Sequence, residues 1–228
     1  MVGRTSRMRS TVGVGETDPM RTPDRDVLIA QLIDAGSTCV RRGLVQASGG
    51  NLSVRLKGQG SFLVTRTGTW LDRLEPDDFA ELSLDGVQRA GPEPSVEWQV
   101  HAHTYRARHD VHSIVHLHPQ HVLLMDLLGQ PIRFTTLDHQ HYVGSVGHAP
   151  FLPAGSAELA AAAAAAAQEH NAVVLAHHGI SALGETVEMA LRRAMNLEEA
   201  ATMTYRLLLA GNTSADFPAE YKGRILVG

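Results

Sequence analysis

The sequence contains little cysteine, no long apolar run and no excess of basic residues. Its single cysteine, Cys39, cannot form an internal disulfide, and the apolar-periodic stretch Val27 to Val40 around it predicts a buried structural thiol. No apolar stretch approaches the length of a membrane span, and the Arg-rich opening Met1 to Arg9 is not followed by the apolar core of a signal peptide. We therefore expect a protein of the cytoplasm, without a membrane partner.

The remaining composition is that of an ordinary globular protein. Hydrophobic residues make up 43% and charged residues 19% of the 228 residues, and the net charge is -4. A slight acidic excess argues against nucleic acid as the main partner, because proteins that bind nucleic acid usually have clusters of lysine and arginine. The length suits one domain, which we place at residues 23–228, after a flexible N-terminal segment at residues 1–22 that has no hydrophobic periodicity.

Helical and strand-like patterns alternate along the chain and predict an α/β fold. Neither a barrel-type repeat nor a Gly-x-Gly-x-x-Gly fingerprint is present. The stretch between Leu128 and Pro153 has no clear pattern and is expected to be irregular. Apart from the amphipathic helix that starts near Asp24, the predicted helices are Val96 to Arg108, Gln120 to Leu128, Ala160 to Ala167 and Glu185 to Leu209, and the predicted strands are Leu52 to Arg55, Ser61 to Thr65, Ser113 to Leu117 and Ala172 to Ala176.

Histidine is the one residue type in conspicuous excess, with thirteen copies against five phenylalanines and four tyrosines. His116 and His118 lie in or just after a predicted strand, where alternate side chains leave the same face, so their imidazoles can bind one ion. His178 follows another apolar strand and precedes a glycine, which allows a sharp turn there. Three imidazoles leave coordination sites open, as in a catalytic zinc site.

Glu97 is the expected partner of these histidines. It stands at the start of a predicted helix on which Glu97, His101, Tyr105 and Arg108 share one face. Spacing alone favours a solvated stripe with local ion pairs. A carboxylate near a cation can occupy a fourth metal position and, once displaced by substrate, move a proton. We therefore assign Glu97 to both metal binding and acid/base catalysis.

Five short motifs follow one another along the chain. They are Ser48-Gly49-Gly50-Asn51-Leu52-Ser53, Thr67-Gly68-Thr69, Pro94-Ser95-Val96-Glu97-Trp98, His116-Leu117-His118-Pro119 and His177-His178-Gly179. In this order they resemble the class II aldolase/adducin family, which includes L-fuculose-phosphate aldolase and L-ribulose-phosphate 4-epimerase. The resemblance extends over roughly Val27 to Leu209.

The resemblance implies a three-layer α/β/α sandwich with a central, mostly antiparallel sheet, and a homotetramer with active sites at subunit interfaces. It implies that His116, His118 and His178 bind Zn²⁺, that Glu97 is the catalytic carboxylate, and that His177 is a neighbour rather than a ligand. Fe²⁺, Mn²⁺ or Co²⁺ also suits such ligands. Tyr142 corresponds to a tyrosine that some of these aldolases contribute across the interface.

In sugar-phosphate members of the family, three small-residue segments hold the substrate phosphate. The matching residues here are Ser48, Gly50, Asn51, Thr67, Gly68 and Ser95. This sequence has an additional glycine in the first segment, and Val96 stands where many phosphate binders have a second serine. A carboxylate-bearing or unphosphorylated substrate is therefore an open alternative. Taken alone, the glycine pairs are equally typical of tight turns.

The expected activity is zinc-dependent cleavage or formation of a carbon-carbon bond in a sugar phosphate or related hydroxy-carbonyl substrate, through a metal-stabilised enediolate. The scarcity of lysine, with only Lys57 and Lys222, agrees with a metal rather than a Schiff base as the electron sink. Four alternatives stay open. They are an epimerase, a dehydratase or an iron-dependent oxygenase on the same scaffold, and a noncatalytic adducin-like interaction module.

The other histidines are expected to be surface or hydrogen-bonded groups without a catalytic role. His139 and His141 repeat the His-x-His spacing, but the segment from Thr135 to Pro153 lacks a clear strand. We expect this segment to be a loop near the site that contributes to substrate specificity.

Overall fold

The computed structural model describes residues 24–222, so the predicted flexible segment at residues 1–22 lies outside the described residues. A π-helical turn is present at His139–Val143, and 3-10 turns are present at Leu71–Arg73, Pro76–Asp78 and Ala219–Tyr221. None of the helices in the described part of the chain has both the length and the apolar character needed to cross a bilayer. The α-helices are α1 Arg25–Arg41, α2 Trp98–Ala107, α3 Gln120–Leu127, α4 Ala157–Ala166 and α5 Val187–Leu209.

Eight strands form one sheet in the order β4-β3-β2-β1-β5-β8-β7-β6. Every neighbouring pair is antiparallel except β6 and β7 at one edge, so the expected mostly antiparallel sheet is confirmed. The strands are β1 Asn51–Leu56, β2 Ser61–Thr65, β3 Phe79–Ser83, β4 Gln88–Ala90, β5 Ser113–Leu117, β6 Gly147–Ala149, β7 Ala172–Leu175 and β8 Gly179–Gly184.

Helices cover both faces of the sheet, because alternate strand residues are apolar on both faces. In β5, Val115 and Leu117 belong to a core shared with α1, α3 and α5, whereas Ile114 belongs to a second core shared with α2 and α4. These two cores make the molecule a three-layer α/β/α sandwich, as expected. Cys39 lies in the first core, fully buried, and burial raises its pKa to about 12, which confirms the structural thiol.

Two glycines allow the strands around His116 and His118 to approach closely. Gly50 has a φ of +76°, and a Cβ built there would lie 2.6 Å from the backbone oxygen of His116. A Cβ at Gly179 would lie 2.3 Å from the backbone oxygen of Leu117. Larger residues would push β5 away from its two neighbours, so these glycines are required for the geometry of the site.

The sequence patterns located most elements but were wrong in three respects. Helix α2 begins at Trp98 rather than Val96, because Glu97 is its N-cap residue, with φ -98° and ψ 11°. The stretch from Leu128 to Pro153 is not wholly irregular, since it contains the π-helical turn and β6. Four strands, β3, β4, β6 and β8, were not predicted.

Candidate metal centre

Four side chains converge at one end of the central strands. Nε2 of His116 lies 3.0 Å from Oε2 of Glu97, and Nε2 of His178 lies 3.1 Å from Oε1 of the same carboxylate. Nε2 of His118 lies 3.1 Å from Nε2 of His116. One ligand atom from each residue falls within 4.8 Å of all the others, so the four predicted ligands form a single cluster.

Each of these side chains is positioned by the local structure of its segment. His116 lies in β5 and His118 one residue beyond its end, so the extended backbone directs both to the same side. His178 belongs to the turn between β7 and β8. In that turn His177 has a positive φ of 57° and its ring is exposed, outside the cluster. Glu97 enters from the N-cap of α2, and its own backbone N–H donates to the Ser95 hydroxyl at 3.3 Å.

The electrostatics of the cluster keep the carboxylate ionised and favour the neutral form of His118. Burial alone would raise the pKa of Glu97, but the interactions with His116 and His178 outweigh burial and hold this pKa far below its usual range. Burial, with a smaller contribution from its two histidine neighbours, lowers the pKa of His118 to about 4. An anionic carboxylate and a neutral imidazole are the forms of these two groups that bind a cation.

The chemistry of the donor set fits a divalent metal. A hydrogen bond between Nε2 of His116 and Nε2 of His118, which lie 3.1 Å apart, uses the N–H of one ring and the lone pair of the other. A cation can accept a lone pair from every ring nitrogen and an oxygen from the carboxylate. Three imidazoles with a carboxylate suit Zn²⁺ and also Fe²⁺, Mn²⁺ or Co²⁺.

The three segments predicted to hold an anion meet at this same end of the sheet. The register that pairs Ser53 with Val64 places the first residue of β1 beside the end of β2. Immediately after β2, Thr67 N–H donates to the Glu93 oxygen at 3.1 Å, and Ser95 N–H donates to the Thr65 oxygen at 2.9 Å. Ser48, Thr67 and Gly68 are exposed, Gly50 is partly buried, and Asn51 and Ser95 are buried.

Tyr142 and the second His-x-His motif lie outside the four-residue cluster. The Tyr142 hydroxyl accepts a hydrogen bond from Arg192 Nη1 at 3.0 Å, on α5. His139 is fully buried in the π-helical turn, whereas His141 is exposed. Within the described chain, none of these three side chains joins the metal cluster.

Behind Glu97 lies a row of buried polar side chains that the sequence analysis did not assign. Asn51 Nδ2 donates to Glu97 Oε2 at 3.0 Å, and Asn51 Oδ1 lies 2.5 Å from His101 Nε2. Ser53 Oγ lies 2.6 Å from both His101 Nδ1 and the Tyr105 hydroxyl. Glu97, His101 and Tyr105 therefore share one buried helix face, and the alternative of a solvated stripe is wrong for these three.

Two sequence patterns could have predicted this row of buried polar side chains. The i, i+4 spacing on α2 aligns Glu97, His101 and Tyr105, and the alternation in β1 brings Asn51 and Ser53 to the face that α2 covers. Arg108, the fourth residue predicted on that face, instead ends α2 and pairs with Asp110 at 2.6 Å. Burial lowers the pKa of His101 to about 3, so its imidazole is neutral.

An open groove of about 500 Å³ borders the cluster beside His118. Its wall is mainly apolar side chains from α3, so it offers space next to the predicted metal position. The groove is lined by Gly43, Gln46, His118, Gln120, Leu123, Leu124 and Leu127.

Comparison of the sequence with known proteins identifies the family of this chain. Residues 30–205 match the model of the Class II Aldolase and Adducin N-terminal domain. The chain is 31% identical over 191 residues to a protein of Haemophilus influenzae named L-fuculose phosphate aldolase, covering 82% of this chain and 87% of the relative. It is 33% identical over 196 residues to the 5-methylthioribulose-1-phosphate/5-deoxyribulose-1-phosphate aldolase of Rhodospirillum rubrum, covering 86% and 87%.

Solved structures agree with the sequence matches. A structure of L-fuculose 1-phosphate aldolase superimposes with a TM-score of 0.82 at 26% identity, covering 90% of this chain and 96% of that one. The L-fuculose-1-phosphate aldolase of Thermus thermophilus gives a TM-score of 0.75 at 33% identity, covering 84% and 100%. The family match at residues 30–205 includes all eight strands of the sheet and the segments that carry the cluster.

Proposed function

This chain belongs to the class II aldolase and adducin family as a metal-dependent aldolase, and we propose that it uses zinc to cleave or form a carbon-carbon bond in a sugar phosphate or related hydroxy-carbonyl compound. The observation that carries the proposal is the convergence of His116, His118, His178 and Glu97 beside an open groove. The names of the two relatives described above both contain a sugar phosphate, which supports this substrate class.

The roles of the four residues follow from their chemistry. His116, His118 and His178 would hold the ion, leaving coordination positions for substrate. When bound, a divalent cation supplies a Lewis acid for the substrate's carbonyl oxygen. Glu97 is the group that moves a proton, since its carboxylate lies at the cluster and is held ionised.

In the cleavage direction the bond between the carbon next to the carbonyl and the hydroxyl-bearing carbon breaks. The hydroxyl-bearing carbon becomes an aldehyde, and the electron pair stays on the other fragment as an enediolate. Glu97 accepts the proton of the hydroxyl as the bond breaks and then delivers it to the carbon of the enediolate fragment, so the carboxylate returns to its ionised form. Enclosure of the carboxylate in the fold, with only 8% of its side chain exposed, limits exchange of that proton with water.

We further propose that the substrate's phosphate is held by the three segments at the end of the sheet, through Ser48, Gly50, Asn51, Thr67, Gly68 and Ser95. Their meeting beside β1 and β2 supports this role. The carboxamide of Asn51 is already engaged by Glu97 and His101, which leaves the neighbouring hydroxyls and backbone amides as the main donors. Val96, which is 64% exposed beside Glu97, offers no side-chain donor there.

The proposal includes a homotetramer in the cytoplasm, with Tyr142 acting at the active site of a neighbouring subunit. Within its own chain Tyr142 contacts Arg192 rather than the metal cluster, which is compatible with a role across an interface. Native mass spectrometry should give a mass of four chains. If Tyr142 acts this way, Tyr142→Phe should lower kcat without changing that mass, and a fully active monomer would contradict the proposal.

The test of function begins with elemental mass spectrometry of wild-type protein and His118→Ala after dialysis. We expect near-stoichiometric zinc in the wild type and none in the variant. Aldehyde release is then measured with ketose 1-phosphates and the same ketoses without phosphate. Faster turnover of the phosphorylated member of each pair supports the phosphate assignment, and equal rates reject it. Zinc without any cleavage or condensation would reject the aldolase assignment, and iron would reject zinc.

A further inference from the structure

The polar side chains behind Glu97 form one continuous row from the metal cluster into the second core. The row runs from Glu97 through Asn51, His101 and Ser53 to Tyr105, with contacts between 2.5 and 3.0 Å. Asn51 is 3% exposed, and Ser53, His101 and Tyr105 are fully buried. Water cannot replace these partners, so each hydrogen bond has to be satisfied within the row.

The geometry fixes the direction of every hydrogen bond in the row. Asn51 presents its NH₂ group to the Glu97 carboxylate, so its oxygen faces His101 Nε2, and that nitrogen must carry the hydrogen. Since a neutral imidazole has only one N–H, His101 Nδ1 is an acceptor and receives the Ser53 hydroxyl proton. Ser53 Oγ then accepts from the Tyr105 hydroxyl.

This directionality locks the carboxamide of Asn51. If the carboxamide rotated by half a turn, its oxygen would face the Glu97 carboxylate and its NH₂ group would face the N–H of His101. Both contacts would be repulsive, and full burial keeps out the water that could relieve them. The row meets the metal cluster at Glu97, whose Oε2 also lies 3.0 Å from Nε2 of His116.

We propose that His101 and Asn51 are positioning residues that hold the Glu97 carboxylate in one orientation towards the reacting centre, through a fixed hydrogen bond to Oε2. The inference rests on the proposed function, because it gives Glu97 a role in turnover. Oε2 contacts both Asn51 Nδ2 and Nε2 of His116, whereas Oε1 lies 3.1 Å from Nε2 of His178. Asn51 thereby belongs to the acid/base machinery in addition to the segment predicted to bind phosphate.

Two substitutions of His101 differ in which of its two hydrogen bonds they keep. In His101→Gln the amide nitrogen takes the place of Nε2 and can still donate to Asn51. In His101→Asn the shorter side chain can still contact Ser53, but the donor to Asn51 is lost. We expect His101→Asn to lower kcat by about 10–100-fold, the usual loss for a residue that orients another, with KM and bound metal unchanged. His101→Gln should retain most of kcat.

A matched control removes a buried hydrogen bond close to the row but outside it. Ser113 is fully buried in β5, and its hydroxyl donates to the Ser53 backbone oxygen at 2.9 Å. Ser113→Ala should lower the free energy of unfolding and leave kcat near the wild-type value. Equal losses of kcat in His101→Gln and His101→Asn, or a loss in Ser113→Ala as large as in His101→Asn, would overturn the positioning role.

A second measurement needs neither substrate nor metal. Nitrogen-15 NMR of histidine-labelled, metal-free protein identifies the His101 imidazole as the signal that is missing from His101→Gln. In the wild type this signal should be in the Nε2–H form and should not titrate between pH 5 and 8. A Nδ1–H form or an imidazolium at His101 would overturn the inference even if the aldolase activity is present. The expected tautomer without aldolase activity would instead contradict the proposed function.

Discussion

The two His-x-His motifs of this protein have the same spacing and opposite outcomes. His116 and His118 lie in and just after the extended strand β5, and their ring centroids are 5.1 Å apart. His139 and His141 lie in a π-helical turn, where one ring is fully buried and the other is exposed. A separation of two residues brings side chains to one side only where the backbone is extended. Local conformation therefore decides whether this spacing makes a metal site.

The carboxylate beside each motif differs as well. Nε2 of His116 lies 3.0 Å from Glu97, whose side chain is 8% exposed. Nε2 of His139 lies 3.7 Å from Glu199, whose side chain is 64% exposed. A buried carboxylate lacks water as a competing partner, so it interacts strongly with a cation, whereas an exposed pair is weak. The two motifs thus provide matched variants for testing the site.

The largest expected effect is the loss of the metal from one motif and not from the other. His118→Ala removes a ligand, so dialysed protein should contain almost no zinc, and metal affinity should fall by at least about 100-fold. His141→Ala changes an exposed ring outside the cluster and should leave the metal content unchanged. Elemental mass spectrometry measures the metal content of both variants. Equal metal contents would contradict the conclusion that the first His-x-His motif binds the metal and the second does not.

The next effect concerns the two carboxylates. Glu97→Gln keeps the three imidazoles and should retain metal, but kcat should fall by about 10²–10⁴-fold because general acid/base catalysis is lost. Glu199→Gln removes an exposed group and should leave kcat near the wild-type value. Steady-state kinetics with a measured metal content compares them, and full activity in Glu97→Gln would refute the acid/base assignment.

A smaller effect should come from the glycine that lets the first motif approach β1. Gly50 and Gly58 have nearly the same φ, +76° and +77°, but only at Gly50 would a Cβ meet the His116 oxygen. Gly58→Ala should cost about 1–2 kcal/mol of unfolding free energy from backbone strain alone. Gly50→Ala should cost about 2–5 kcal/mol, because overpacking is added. Urea denaturation measures both, and equal losses would show that the close approach is unimportant.

The smallest effect is a pH dependence from His101, a buried histidine outside both motifs. Burial lowers its pKa from 6.5 to about 3, so below pH 6.5 the unfolded chain binds a proton that the folded protein does not. Stability from this group is complete above about pH 6.5 and declines as the pH falls towards 3, by up to about 1.4 kcal/mol per pH unit. Urea denaturation of metal-free protein at several pH values should show a shallower slope for His101→Gln than for His141→Gln, and identical slopes would contradict it.

The proposed metal ligands were partly predictable from the sequence. Strand alternation aligns His116 with His118, and the end of an apolar strand followed by glycine marks His178. Glu97 was assigned from carboxylate chemistry and from the family resemblance, and the structure makes it the N-cap rather than a helical residue. For each histidine, the residues within a few positions determine where its side chain points.

The buried polar row and strand β8 could not be predicted from the sequence, because they depend on contacts between distant parts of the chain. His101 meets Ser53 across 48 positions, and Tyr105 meets Ser53 across 52, so neither partner was apparent from local spacing. Strand β8, which begins at Gly179 and ends at Gly184, lacks the usual strand composition and is held by pairing with β5 and β7 on both sides. A glycine within a strand often marks the close approach of another backbone, and that approach is visible only in the assembled sheet.

The four clustered side chains come from segments that are up to about eighty residues apart in the chain, and this spacing has a consequence for folding. An ion bound by all of them acts as a cross-link that closes a long loop, much as a disulfide would, in a protein whose only cysteine is buried without a partner. This cross-link can form only after β5, β7 and the start of α2 have come together. The proposed metal centre would therefore form late in folding and stabilise the native state, and chelation should speed unfolding more than it slows refolding.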